Sequence, residues 1–342
     1  SLMFLDTSIN MAMQPFKMMV GDMVNEKQKG LAYSIQSFLC NAGSLVGFLF
    51  PFIFTWIGIS NIAPQGVVPD SVIYSFYIGA AILILCVIYT TVKVKEMPPA
   101  EYAEYHGITE EEKKEKINMV KLLVKAPKAF WTVGLVQFFC WFAFMFMWTY
   151  TNGSVAANVF DAPTVETVVN GANKVVLDTK SIQYQNAADW VGVLFAVQAI
   201  GSVLWAVCIP MFKNRKLIYS LSLVLGGIGF ISTYFVHNQY VLFISFLLIG
   251  CAWAAMLALP FTILTNALSG GHMGTYLGLF NGTICIPQIV AATLGGSILA
   301  LFTPKGMLPP EINMLVMAGV MLIIGAVCVY LIKETKGEQA KA

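Results

Sequence analysis

Long runs of apolar residues, each close to the length that crosses a bilayer, leave this chain few ways to fold. A helix needs about 20 such residues to span hydrocarbon. Backbone N–H and C=O groups find no water there and must bond within the segment. Nine stretches qualify, near residues 1–24, 31–57, 72–92, 129–150, 188–211, 217–236, 239–266, 273–302 and 312–332. Only 11% of the 342 residues are charged and 58% are hydrophobic, whereas a soluble domain carries about 25% charge. Soluble enzymes, disordered chains and coiled coils are thereby excluded. The expected fold is an all-α integral membrane protein. A net charge of +2 is too small to draw a nucleic acid.

Basic residues set the orientation. With the C-terminus cytoplasmic, 16 of the 20 lysines and arginines fall on cytoplasmic segments. Lys174, Lys180 and Lys305 fall outside, and Lys17 lies within a span. The separators are short apart from the charged stretch 93–128 and the polar stretch 151–187. The chain divides into residues 1–92 with three spans, a cytoplasmic linker 93–128, a six-span unit 129–335 with an external loop 151–187, and a tail 336–342. Linkers of this kind commonly join equal halves of a transporter, so three helices are expected to precede residue 1. Thr109 and Glu112 have capping-box spacing and predict a linker helix continuing to Lys125. At an offset of 245, Pro15-Phe16 falls on Pro260-Phe261, Gly21 on Asn266 and Gln36 on Asn281, which suggests an internal repeat.

The first span carries the chemistry. Asp6, Asn10, Gln14 and Lys17 fall within about 80° of one another on a helix and form one polar stripe. A charge in a span costs at least about 2.5–3.5 kcal/mol, so the stripe should face protein or a wet cavity. Asp6 suits binding of a proton or sodium ion, because burial and a nearby cation shift its pKa in opposite directions. Lys17 is roughly 16 Å further along the axis and cannot pair with it directly. Two bland alternatives stand beside this: Lys17 snorkelling to the cytoplasmic face, and Asp6 at the outer interface. Asp22, Lys27 and Lys29 form either an inner-gate ion-pair set or a solvated turn.

Gln137, Trp141 and Trp148 share a face of the aromatic fourth span. An indole beside an amide suits a sugar, the ring covering C–H groups and the amide bonding hydroxyls; packing is the competing role. Asn281 and Gln288 share a face of the eighth span and could bond either a substrate or another helix. Gly274, Gly278 and Gly282, like Gly43 and Gly47, have the four-residue spacing that allows close helix approach. Pro260 and Pro287 interrupt helices. The seven cysteines, all in apolar runs and none in a CxxC pair, read as small packing residues. No nucleotide loop, metal-spaced His/Cys set or nucleophile–base pair is present. No cofactor is implied, and a membrane enzyme or sensor scaffold is disfavoured.

The order L-D-x-x-x-N, Pro15, Lys17, Asp22 resembles the fourth helix of the sucrose-type sugar:proton symporters. QFFCWFAFMFMWTYT resembles their seventh helix and GLFNGTICIPQIV their eleventh. These belong to the major facilitator superfamily and are related to glycoside–pentoside–hexuronide:cation symporters. The resemblance covers the chain except 151–187 and has the look of a bacterial inner-membrane member. It implies twelve helices in two six-helix bundles, nine of them here, around a central sugar site. It also implies that Asp6 is the coupling carboxylate and Lys17 the family's basic residue, with Lys where Arg is usual. The expected function is symport of a disaccharide or glycoside with H+, or with Na+. The alternative is an uncoupled facilitator or exporter of apolar solutes.

Overall fold

The computed structural model describes all residues except 1, 26, 60–67, 69, 96–97, 99–100, 102–103, 105–118, 170–171, 269–272, 305 and 333–342. The side chains of Asp6, Asn10, Gln14 and Asp22 are also outside the described set, as is the Thr109–Glu112 capping box. Among the described residues the long helices are α1 (Leu2–Met23), α2 (Lys29–Trp56), α3 (Asp70–Lys93), α5 (Lys128–Asn158), α6 (Ile182–Cys208), α7 (Arg215–Ser232), α8 (Leu242–Ala267), α10 (Gly282–Phe302) and α11 (Ile312–Cys328). Two short helices join them: α4 (Met119–Lys125), where the expected linker helix ends, and α9 (Met273–Phe280), which leads into α10. Among the described residues, seven stretches are long and apolar enough to cross a membrane. They correspond to α3, α5, α6, α7, α8, α9 with α10, and α11. The nine-span expectation counts α1 and α2 as well.

Polar side chains mark two helix starts. Ser181 accepts from the backbone N–H of Tyr184 at α6, and Asn214 from that of Leu217 at α7. Each satisfies one of the N–H groups that a helix start leaves free. α5 outruns its predicted span 129–150. Its 31 residues rise about 46 Å against a hydrocarbon core of about 30 Å, so its end leaves the membrane. The stretch 151–187 is then no simple polar loop. Antiparallel strands β1 (Thr164–Val169) and β2 (Ala172–Leu177) pair in it, Val165 opposite Val176 and Thr167 opposite Lys174. Asn170-Gly171 between valine-rich runs is a strong hairpin signal in a sequence, which a reading for spans passes over. This hairpin marks one end of the bundle; Lys213, Arg215 and Lys216 mark the other.

The repeat offset of 245 holds for whole helices. Shifted by it, α1 falls on 247–268, against α8 at Leu242–Ala267. α2 falls on 274–301, against Met273–Phe302, and α3 on 315–338, against Ile312–Leu331. In the larger unit α8 packs on α6, α7 and α5, while α11 packs on α5 and α7 and α10 on α5. α2 lies against α6 and α8 and joins the first three helices to the rest; α3 packs on α2 and is otherwise almost wholly exposed.

Close approach uses different glycines from those expected. Gly43, Gly47 and Gly278 face open space, and Gly282 meets only Ile286 of its own helix. The tight crossings are Gly201 with Gly250, where α6 and α8 touch backbone to backbone, and Gly227 with Gly319, where α7 meets α11. Spacing within one helix shows that it has a smooth face, whereas close approach also needs a neighbouring helix packed against that face. Gly250→Ala should therefore destabilise the protein by about 1–3 kcal/mol despite alanine's better helix propensity. Gly43→Ala, with nothing within 4 Å of the added Cβ, should be neutral or stabilising. Thermal melts in detergent check both.

Candidate functional site

Proline 260 determines what happens at the middle of α8. Proline has no N–H, so the carbonyl four residues earlier, that of Met256, loses its helical donor. Gln137 of α5 supplies one: its Nε2 donates to Met256 O at 3.0 Å. Two residues away, Ser37 of α2 donates its Oγ to Ala254 O at 3.3 Å. Asn41, one turn along α2, donates to Ser37 O at 2.6 Å. Trp253 completes the group. Its ring lies 5.7 Å from both Trp141 and Trp148 and 4.9 Å from Phe144. Polar groups from α2 and α5 and an aromatic cluster thus converge on residues 253–256, the midpoint of α8.

The polar groups there are only partly satisfied. Gln137 and Asn41 are 0% exposed and Trp141 is 8% exposed. Among the described residues Gln137 Oε1, Asn41 Oδ1 and Trp141 Nε1 have no hydrogen-bond partner. A buried polar group left unpaired costs about 1–3 kcal/mol. Unpaired amide oxygens and an unpaired indole N–H are groups that hydroxyls bond, and an exposed indole such as that of Trp148 is a surface that covers C–H groups. Gln137, Trp141 and Trp148 are brought together as their spacing suggested. Ser37 and Trp253 escape a sequence reading, because each lies in an apolar run and has partners on other helices; Asn41, bonded within α2, escapes it as a lone amide in such a run.

Lys17 sits elsewhere, about 8 Å further along α8 by helical rise from Met256 to Phe261. It is 8% exposed, and its ammonium lies 4.0 Å from the centroid of the Phe261 ring. Tyr33 donates its hydroxyl to Lys17 O at 3.2 Å. Phe261 also meets Tyr33 at 6.2 Å and Phe280 at 5.8 Å, and Phe280 meets Phe130 at 5.7 Å. Side chains of α1, α2, α5, α8 and α9 therefore form one aromatic plug with a cation against it. The Lys17 side chain is turned into the protein and not toward the membrane surface.

Asn281 belongs beside this plug. It stands at the break between α9 and α10, next to Phe280; its Nδ2 donates to Cys285 Sγ at 3.7 Å and its Oδ1 has no protein partner. Gln288 lies two turns on and is half-buried. Lys27 is exposed in the turn after α1, whereas Lys29 is buried at the start of α2. Asp6, Asn10 and Gln14 share Lys17's face of α1 by helical spacing.

Among the described residues, seven spans and two related sets of helices define a multi-pass integral membrane protein. The family model "Major Facilitator Superfamily" matches residues 8–177 and 156–342, and the chain belongs to that superfamily. No curated protein matches at the level of sequence. Among solved structures, the chain is similar to the superfamily transporter FucP in the outward conformation. The TM-score is 0.62 at 14% identity, covering 92% of this chain and 71% of that one. It is also similar to the E. coli fucose:proton symporter FucP carrying N162A, with TM-score 0.58 at 14% identity, covering 93% and 72%. At this identity the likeness concerns the fold.

The lysine–phenylalanine contact joins the first helices to the larger unit and can be measured. A double-mutant cycle of Lys17→Met and Phe261→Leu should give a coupling of about 0.5–2 kcal/mol in thermal or denaturant unfolding. Additive single and double variants would show that the contact contributes nothing.

Proposed function

We propose that this transporter is a secondary active symporter that carries a neutral disaccharide or glycoside with H+ by alternating access. One observation carries the reading: two unsatisfied hydrogen-bonding atoms, Gln137 Oε1 and Trp141 Nε1, beside a tryptophan cluster at the midpoint of α8, with a third, Asn41 Oδ1, one turn along α2 from the Ser37 that bonds Ala254 O. A polyol satisfies two acceptors and one donor at once and lays its C–H face on an indole. Substrate contact is assigned to Gln137, Trp141, Trp148 and Asn41. Asn10 and Gln14 extend the site along the polar stripe of α1, and Asn281 and Gln288 along α10. Asp6 on that stripe is the coupling carboxylate. It is neutral when loaded with a proton and ionised after release.

In this reading the C-terminus is cytoplasmic, the hairpin is external and the membrane is a bacterial inner membrane. The full protein has twelve helices, nine of them in this chain. The plug of Lys17, Phe261, Tyr33, Phe280 and Phe130 then closes the cytoplasmic side, with Asp22, Lys27 and Lys29 beneath it. Opening to the cytoplasm requires Lys17 to leave Phe261. The outward conformation of the FucP structure accords with closure at this end.

The test is glycoside uptake by proteoliposomes containing the full-length protein, under an inward proton gradient, an inward sodium gradient or none. Proton-driven uptake lost in Asp6→Asn supports the assignment. Trp141→Phe removes one hydrogen-bond donor worth about 0.5–1.5 kcal/mol and should weaken substrate affinity roughly 2- to 13-fold. Sodium-driven uptake would change the coupling ion. Uptake that ignores both gradients and survives Asp6→Asn would make the protein a facilitator.

A further inference from the structure

Glu311 immediately precedes the last span, Ile312–Leu331. It holds the N-cap position of α11, yet its side chain makes no capping bond to that helix. A carboxylate there would ordinarily turn to the free N–H groups, where the helix dipole favours its charge. This one crosses to α5 and lies against Gly153, where even a Cβ would collide with its carboxyl group. Tyr150, one turn earlier on α5, is within electrostatic reach of it. The Tyr150 hydroxyl in turn abuts Gly295 of α10. Two glycines thus make two notches, and Glu311 and Tyr150 fill them. Through these side chains α11, α5 and α10 meet at the hairpin end of the bundle.

The carboxyl is half-buried, and among the described residues no charged group compensates it. α5 presents Tyr150 and Gly153 to it, and α10 closes the far side of Tyr150 with Gly295. Among the described residues, Asp161, Glu166, Lys174, Asp178, Lys180 and Asp189 form no ion pair with it. Desolvation is the one cause acting on it and raises its pKa from 4.5 to about 7. The neutral form is therefore the one that suits the notch.

We propose that Glu311 is a proton-binding site at the hairpin end of the bundle, separate from the stripe on α1. A proton from the adjoining aqueous phase converts the carboxylate to the acid, which lodges against Gly153 and holds α11 on α5 and α10. Loss of the proton to the same phase leaves a carboxylate that is drawn out of the notch into water. The packing of these three helix ends then follows the proton concentration on that side of the membrane. The site takes one proton, with no metal or other co-ligand.

Infrared difference spectroscopy of the full-length protein in lipid nanodiscs, stepped in pH from below 4.5 to above 7, reads the site directly. The wild type should show a protonated-carboxyl band that titrates near 7 and is missing in Glu311→Gln. Gly153→Ala should expel the side chain and return its titration toward 4.5. A wild-type band that titrates only in the ordinary carboxylate range, or one that persists in Glu311→Gln, overturns the proposal.

Melting temperature gives a second readout that does not need Gly153→Ala to fold. A carboxyl whose folded pKa is raised binds more protons folded than unfolded between 4.5 and about 7, so its contribution to stability falls as pH rises through that window. Glu311→Gln, permanently neutral and of the same shape, should lack this fall. Wild-type and variant melting temperatures that stay parallel across the window overturn the proposal. Neither experiment depends on sugar transport, so its failure is distinct from failure of the symport reading.

Discussion

Hydrocarbon supplies no hydrogen-bond partner, and the positions of the functional groups follow from that constraint. A proline in a spanning helix leaves one carbonyl bare. In α8 that carbonyl belongs to Met256, and the amide of Gln137 covers it from α5. The bond fixes α5 to the middle of α8 and fixes the orientation of the glutamine. Its oxygen is thereby left unpaired. A structural repair at one end of the side chain leaves an unpaired acceptor at the other.

The same constraint separates two regions along α8. Around Trp253–Met256 the polar atoms are buried and partly unpaired, a state that costs stability. Around Phe261 the contacts are aromatic and close-packed, with the Lys17 ammonium over the ring face. Backbone contact where Gly201 meets Gly250 locks α6 to α8, so both regions rest on a rigid pair of helices.

Legibility in the sequence followed the range of each interaction. Span positions depend on local hydropathy, and the helices of the larger unit lie close to where apolar runs put them. The polar face shared by Gln137 and Trp141 is likewise local. The contacts that complete the site are not. Gln137 and Met256 are 119 residues apart, and Ser37 and Ala254 are 217 apart. Gly43 and Gly47 had the right spacing but no facing helix backbone, whereas Gly201 and Gly250 found each other across the bundle. Glu311 stands out in sequence only as an acid at a span end. Its lodging against Gly153 depends on two helices more than 150 residues apart in the chain. The hairpin signal at Asn170-Gly171 is local as well, but it lies in turn chemistry and leaves no mark in hydropathy.

The central claim is that the unpaired atoms around Trp253–Met256 are the substrate's partners. A structure of the full-length protein with a saturating neutral glycoside tests it most directly. The result expected is a sugar ring against the Trp253 cluster, with hydroxyls in hydrogen-bond range of Gln137 Oε1, Asn41 Oδ1 and Trp141 Nε1. A glycoside bound elsewhere on the transport path, with those three atoms still unpaired, would contradict it.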